Sequence, residues 1–468
     1  MPWQTGTLGG VPAPETSIPR AALTRYLREL PNYVVLRNEE DLFGNVERGG
    51  DIDLLVGDAE LAERTLIRHL GPPIWINRYS FATGYFFDWG HIDLVRTIEW
   101  QGACYLPTEA ILEVRRFTAR GRPVLRMAHE AAICWLTSPL WGGFFKKRYA
   151  PVIRQAVETD GVVFEQALMD IAGKRWGHRL WRAAAEGCPE ISGTWVQPLR
   201  RAVWWRACLR SPVRTIRRYL AFVITELRRR VAPPVPWIAI FGPDRNEKSS
   251  LANEIVHRLA VCPYTNIKTT HWSPRLMARA QDADLVTSPD ERPVHGPIGS
   301  GFRVVVLAVD WLVNYWTRWV HLRAKGYMLL SDHSYLDLIV DPKRRGLTTG
   351  SRLARALWWL LPKPELIFLL DAETGVLGQG KEDLPRSERE RQHACTTQIR
   401  ELAGSHLLNR SLPLGELVDE VQSVVRAWMV NRSSVSLGSV QPEEGGAPTA
   451  RAGRSSDAHS LLSRGGGS

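Results

Sequence analysis

A short stretch near the middle of the chain limits its fold more than any other. Trp237-Ile-Ala-Ile-Phe241 is an uninterrupted aliphatic and aromatic run of strand length, and it opens directly onto Gly242-Pro-Asp-Arg-Asn-Glu-Lys-Ser-Ser250. Leu251 to Leu259 then places apolar residues at helical spacing. Strand, glycine-opened loop, Lys-Ser and helix in that order predict an α/β domain. They also predict a loop whose backbone N–H groups face an anion together with the helix N-terminus. In this reading Lys248 meets phosphate oxygens and Ser249 a metal ion.

Around that motif the chain has room for several domains: 468 residues at roughly 100 to 200 per domain. Its 44% hydrophobic and 23% charged residues are those of an ordinary globular protein. No uncharged apolar run reaches the roughly 18 residues of a spanning helix. The apolar stretch Phe302 to Leu322 is interrupted by Arg303, Asp310 and Arg318 and reads as a core helix. Met1 to Arg20 has neither a basic start nor an apolar h-region, so no secretory signal and a cytoplasmic location are expected. Cys104, Cys134, Cys188, Cys208, Cys262 and Cys395 are scattered, with neither a Cys-x-x-Cys pair nor zinc spacing.

The net charge of +11 is concentrated. Between Val196 and Arg230 ten arginines face the single acid Glu226. Trp204, Trp205, Leu209, Val213, Ile216, Leu220, Val223 and Leu227 recur there at near-helical spacing, until Pro233, Pro234 and Pro236 break the pattern. An amphipathic helix pair is expected, either a solvated face packed on its neighbours or a contact for an anionic membrane surface or nucleic acid. The organisation that follows is a disordered N-terminus (1–17), a globular domain (18–194), an Arg-rich helical linker (195–234), a second domain (235–430) and a disordered tail (431–468) rich in Ser, Gly, Ala and Pro.

In the first domain Tyr33-Val-Val-Leu36 reads as a strand, and Asp51-Ile-Asp-Leu-Leu-Val56 as another after Gly49-Gly50. Strand periodicity puts Asp51 and Asp53 on one face. Asp93, within His91-Ile-Asp-Leu-Val95, supplies a third carboxylate from a further strand. Three carboxylates on adjacent strands suit one or two Mg²⁺ ions, because hard cations take oxygen ligands. The alternative makes Asp51 a turn residue and Asp53 an edge-strand acid. The Asp-x-Asp strand and its neighbouring acid resemble the nucleotidyltransferase fold, a smaller α+β domain. The resemblance implies that Asp51, Asp53 and Asp93 hold Mg²⁺ and a nucleoside triphosphate. Where that family has Gly-Ser before the Asp pair, this chain has Arg37-Asn38.

In the second domain Gly326-Tyr-Met-Leu-Leu-Ser331 reads as a strand leading to Asp332-His-Ser-Tyr-Leu-Asp337, and Glu365-Leu-Ile-Phe-Leu-Leu370 as a strand ending in Asp371. Acids at the carboxyl ends of parallel strands face the crevice where doubly wound sheets bind ligands. Lys381-Glu-Asp-Leu-Pro385 and the charged Ser387-Glu-Arg-Glu-Arg-Gln392 follow. The ordered series, Gly242-Pro-Asp244 before Lys248-Ser249, Asp332-x-x-Tyr335, Asp371 and a lid-like Lys381, resembles the thymidylate kinase group of P-loop nucleoside monophosphate kinases. It implies a doubly wound parallel sheet of the P-loop NTPase fold, ATP and Mg²⁺ as cosubstrates, and γ-phosphoryl transfer to a monophosphate. Gly242, Asp244, Lys248, Ser249 and Ser250 would cradle the nucleotide. Ser249 and Asp332 would serve the metal, and Asp332 and Lys381 would orient the acceptor and close over the donor. Glu247 stands where the usual loop has Gly, and a carboxylate about 4 Å from a phosphate charge costs on the order of 4 kcal/mol at an effective dielectric near 20. His333 and Gly378-Gln-Gly380 likewise replace cationic positions.

The expected function is nucleotide-dependent phosphotransfer, with a nucleoside triphosphate and a monophosphate-type acceptor as partners. Nucleotidyl transfer by the first domain and a catalytically degenerate nucleotide-binding scaffold are the alternatives. An anionic partner at the Arg-rich linker and a homodimer are compatible with each.

Overall fold

The computed structural model describes residues 19–37, 51–187, 193–242, 247–261, 267–270, 296–331, 334–340, 347, 351–371, 397–400, 404–409 and 412–438. Of the segments expected to be disordered, 1–17 and the part of 431–468 beyond Gly438 lie outside these.

The first domain is built on a seven-stranded mixed sheet. Its strands are β1 (Tyr33–Val35), β2 (Asp51–Val56), β3 (Trp75–Arg78), β4 (Ala82–Phe87), β5 (Gly90–Val95), β8 (Arg116–Phe117) and β9 (Pro123–Val124), in the order β3-β4-β5-β2-β1-β9-β8. A separate hairpin pairs β6 (Ile98–Trp100) with β7 (Ala103–Leu106). Pairing is antiparallel except for β2 with β5 and β1 with β9. Strand alternation sends Ile52, Leu54 and Val56 to one face, where they meet Leu23, Tyr26 and Leu27 of α1 (Arg20–Glu29) and Ala62 and Leu66 of α2 (Ala59–Leu70). Helix α2 starts where Asp58 accepts hydrogen bonds from the N–H groups of Glu60 and Leu61 and stops at Gly71, whose φ of 78° suits glycine.

The other face packs Leu55, Val95 and Ala82 against α4 (Met127–Gly142), α5 (Ala150–Ala172) and α6 (Lys174–Ala185), beyond the short α3 (Thr108–Glu113). Helix α5 bends at Asp160, which has non-helical φ/ψ. The Asp160 carboxylate accepts two hydrogen bonds from Arg126, at 2.8 and 2.7 Å, which hold its carboxyl below the ordinary value.

The Arg-rich segment forms two helices, α7 (Gly193–Arg210) and α8 (Pro212–Val231). Val196, Leu199, Val203 and Ala207 of α7 are buried in the first domain's core, so this half of the segment is part of that domain. Gly102 of the β6–β7 hairpin lies against α8: a Cβ there would come 2.6 Å from Tyr219 Cα.

The second domain has a five-stranded, wholly parallel sheet, ordered β11-β12-β10-β13-β14. Its strands are β10 (Trp237–Phe241), β11 (Ile267–Thr270), β12 (Met328–Ser331), β13 (Leu366–Asp371) and β14 (His406–Asn409). Parallel sheets take helices on both faces, which explains why β10 is apolar throughout. One face is covered by α9 (Glu247–Val261) and the C-terminal helix Leu414–Gly438, through Leu251, Ile255, Val418 and Val421. The other is covered by α10 (Pro297–Asn314), continued through a π turn (Tyr315–Trp319) into α11 (Val320–Ala324), and by α12 (Leu336–Val340) and α13 (Ser351–Trp358). Trp237 stacks on Trp311 at 5.3 Å between ring centroids and gives its indole N–H to Ser331. The span Pro297–Ala324 is long and apolar enough to cross a membrane by length and composition. Its inward residues Val304, Leu307, Trp311 and Trp319 are core, as the sequence predicts, while Phe302, Val309 and Trp316 are exposed.

The domains are packed together. Ile74, Trp75 and Phe86 share a core with Val235, Met328 and Val425. Trp75 donates to Pro234 O at 3.1 Å, and Arg229, buried near the end of α8, donates to Asn77 Oδ1 at 2.6 Å and to Ala324 O at 2.7 Å. The C-terminal helix runs to Gly438, past the end at Val430 that the sequence suggests. Ser433 is buried there, accepting from Ile76 N and donating to Ile74 O, so interdomain contact extends a helix that composition alone assigns to a tail.

Candidate functional site

Two places gather the residues singled out in the sequence. The first is where the carboxyl ends of β10 and β13 lie side by side. The chain leaves β10 toward β11 on one side of the sheet and leaves β13 toward β14 on the other, so the two connections diverge between neighbouring strands. Open parallel sheets leave a ligand crevice at such a switch point. Gly242 closes β10, and a Cβ on it would sit 2.9 Å from Leu370 Cβ, so only glycine lets the two strand ends lie this close. Helix α9 begins at Glu247, five residues on. Lys248 is half-buried, and Ser249 and Ser250 are exposed, in its first turn. A helix N-terminus carries the positive end of the helix dipole, which suits an anion. Asp244, Asp332 and Lys381 lie outside the described residues, as do His271-Trp-Ser-Pro274, His333, Gly378-Gln-Gly380 and the Ser387 to Gln392 stretch.

The second place is in the first domain. Asp53 of β2 and Asp93 of β5 are register partners on parallel neighbours, and Asp51 pairs with His91 in the same way. Partnered residues on adjacent strands share a face, with strands about 4.8 Å apart. Asp53 is fully buried and Asp93 nearly so. Gly84 of β4 completes the row: a Cβ there would meet Asp93 Oδ1 at 2.7 Å, so the missing side chain leaves space for the carboxylate.

Arg37, just past β1, donates from Nε to Asp53 Oδ2 and from Nη1 to the Tyr149 hydroxyl at 2.6 Å. Arg148 also donates to that hydroxyl, at 3.0 Å, with its guanidinium 5.0 Å over the Tyr149 ring. Cys134 of α4 lies in the same neighbourhood, and burial first, then Glu130, pushes its thiol up to about 12. Arg37 is visible in the sequence as the replacement for Gly-Ser, but Tyr149, 112 residues away, carries no local signal.

Arg37 places a guanidinium beside Asp53; among the described residues, which do not include the Asp51 side chain, no group of three His, Cys, Asp or Glu side chains could hold a metal ion. Asp53 and Asp93 stand side by side on neighbouring strands, with the Arg37 guanidinium beside Asp53.

No protein-family model and no curated protein matches the chain. Among solved structures it is similar to the thymidylate kinase from Candida albicans, with 14% sequence identity and a TM-score of 0.30. The match covers 42% of this chain and 93% of that one.

Proposed function

We propose that the second domain binds a nucleoside triphosphate with its phosphates in the β10–β13 crevice and transfers the γ-phosphoryl to a monophosphate-type acceptor. The observation that carries this is Gly242 packed on Leu370 at the switch point, with the first turn of α9 opening beside it. In the transfer an acceptor phosphate oxygen attacks the γ-phosphorus and the bond to the β–γ bridging oxygen breaks, giving two diphosphates. Lys248 neutralises charge on the β- and γ-phosphates, and the first-turn N–H groups of α9 hold them in place. Catalysis then rests on positioning and electrostatics. Mg²⁺, when bound, offsets the charge that builds on the phosphate oxygens. Ser249, exposed beside Lys248, would contribute to holding it. Asp332 and Lys381 keep the roles the resemblance implies, orienting the acceptor and closing over the donor.

The test is transfer of label from γ-labelled ATP to a panel of nucleoside monophosphates by the full chain, compared with Lys248→Ala. Label appearing in a diphosphate product and lost in the variant supports the reading. Product formation unchanged in Lys248→Ala, or none with any acceptor, contradicts it.

One observation favours a second reading, nucleotidyl transfer by the first domain: Asp53 and Asp93 in register on parallel strands beside a glycine. Release of pyrophosphate from a nucleoside triphosphate that is lost in Asp93→Asn and kept in Lys248→Ala would establish it.

A further inference from the structure

Helix α8 presents an apolar row to solvent. Val213, Ile216, Leu220, Ile224, Leu227 and Val231 are each between 48% and 80% exposed. At 3.6 residues per turn they fall within an arc of about 80° and run for about 27 Å along the axis. Leu209 and Trp205, exposed near the end of α7, extend the row beyond the Ser211–Pro212 junction. A continuous exposed strip of this size marks a surface that meets something else.

The charges beside the row select what that is. Arg214, Arg217 and Arg228 are exposed and occupy the next roughly 60° of the helix on one flank. None of the three pairs with a carboxylate among the described residues. The inward side of α8 is spoken for: Arg218 lies 3.9 Å from Glu99, Arg229 is bonded to Asn77 and Ala324 O, and Thr215 donates to Ala207 O. The helix's single acid, Glu226, is on that side too, away from the row. A second copy of the chain would bring arginines against arginines with no counter-charge. A nucleic acid would satisfy the arginines through its phosphates and leave six aliphatic side chains in water. A bilayer surface with anionic headgroups accepts both, taking the aliphatic side chains at the acyl boundary and the guanidinium groups at the phosphates.

We propose that α8 is an interfacial helix that docks the protein on anionic lipid, with Val213, Ile216, Leu220, Ile224, Leu227 and Val231 inserted and Arg214, Arg217 and Arg228 at the headgroups. The chain lies on the membrane through this helix. The proposal is independent of which domain carries chemistry.

The experiment is co-sedimentation of the full chain with vesicles of phosphatidylcholine alone and of phosphatidylcholine mixed with phosphatidylglycerol, at low and high salt. Wild type should bind the anionic vesicles, weakly at high salt, and bind the neutral ones little. Leu220→Ser/Leu227→Ser should lower the partition coefficient at least about tenfold. Arg214→Gln/Arg217→Gln/Arg228→Gln should remove the anionic preference, at about fivefold per arginine. Every substituted side chain is solvent-exposed, and an unchanged circular dichroism melt verifies the fold. Equal binding by wild type and variants, or to neutral and anionic vesicles, overturns the proposal. So does a dimer broken by the leucine variant, or single-stranded DNA binding that the leucine variant retains, when either occurs without vesicle binding.

Discussion

Arg37 reaches from the end of β1 to Asp53, the fully buried acid on β2, and sets a guanidinium against its carboxylate inside this domain. Removing one member of a buried ion pair leaves the other charged and poorly solvated. Arg37→Ala should therefore destabilise the first domain by about 3–5 kcal/mol. Adding Asp53→Asn to it should recover a substantial part, since the residual charge goes with it. Denaturant unfolding of the two variants measures both, and an Arg37→Ala midpoint equal to wild type would contradict the role given to the pair.

Gly242→Ala is a steric test of the second domain's crevice. The new methyl would stand 2.9 Å from Leu370 Cβ, an atom fixed to the β13 backbone, so the strand ends must part. The expected loss is about 1–3 kcal/mol. Affinity for ATP should fall with it, whereas a Gly301→Ala control, whose Cβ meets open space, should show neither effect.

Glu99 gives the fold a pH dependence. Burial is the main cause that raises its carboxyl from the ordinary 4.5 to about 7, against smaller opposing effects from Arg218 and the Gly102 N–H. A folded-state value above the unfolded one means that the folded protein holds the proton more tightly. The stabilisation is thus fully present below about pH 4.5 and is lost as pH rises through about 7. The full effect is on the order of 3 kcal/mol. Glu99→Gln should flatten this part of the stability profile and raise stability above pH 7, as read from unfolding midpoints across the range. An unchanged profile would show that Glu99 is not the group responsible.

Cys134 should resist alkylation at neutral pH. Its thiol is buried and pushed up to about 12, so almost no thiolate forms in the folded state. Mass spectrometry after iodoacetamide treatment should show Cys104 and Cys208, both half-buried, modified before Cys134.

Much of this architecture is legible in the sequence because it depends on local pattern. The apolar run Trp237 to Phe241, the Asp51 to Val56 alternation and the helical spacing after Lys248 each fix an element without reference to the rest of the chain. Their pairing is harder to read. That Asp53 and Asp93 are neighbours follows from the β2–β5 register, which the sequence suggests only through similar short strands. Tyr149 behind Arg37, Gly84 beside Asp93 and Leu370 against Gly242 are long-range packing, invisible to any window of residues. The end of the C-terminal helix is misjudged for the same reason, since Ser433 looks like tail composition until β3 is placed next to it.

The central claim, that the β10–β13 crevice holds the phosphates of a nucleoside triphosphate, is tested most directly by thermal unfolding of wild type and Lys248→Ala with ATP and Mg²⁺. ATP at about 100 times its dissociation constant should stabilise wild type by roughly 2.7 kcal/mol. Lys248→Ala should show no such shift, while Asp93→Asn keeps it. A shift that survives Lys248→Ala and disappears in Asp93→Asn, or no shift in wild type, would contradict the claim.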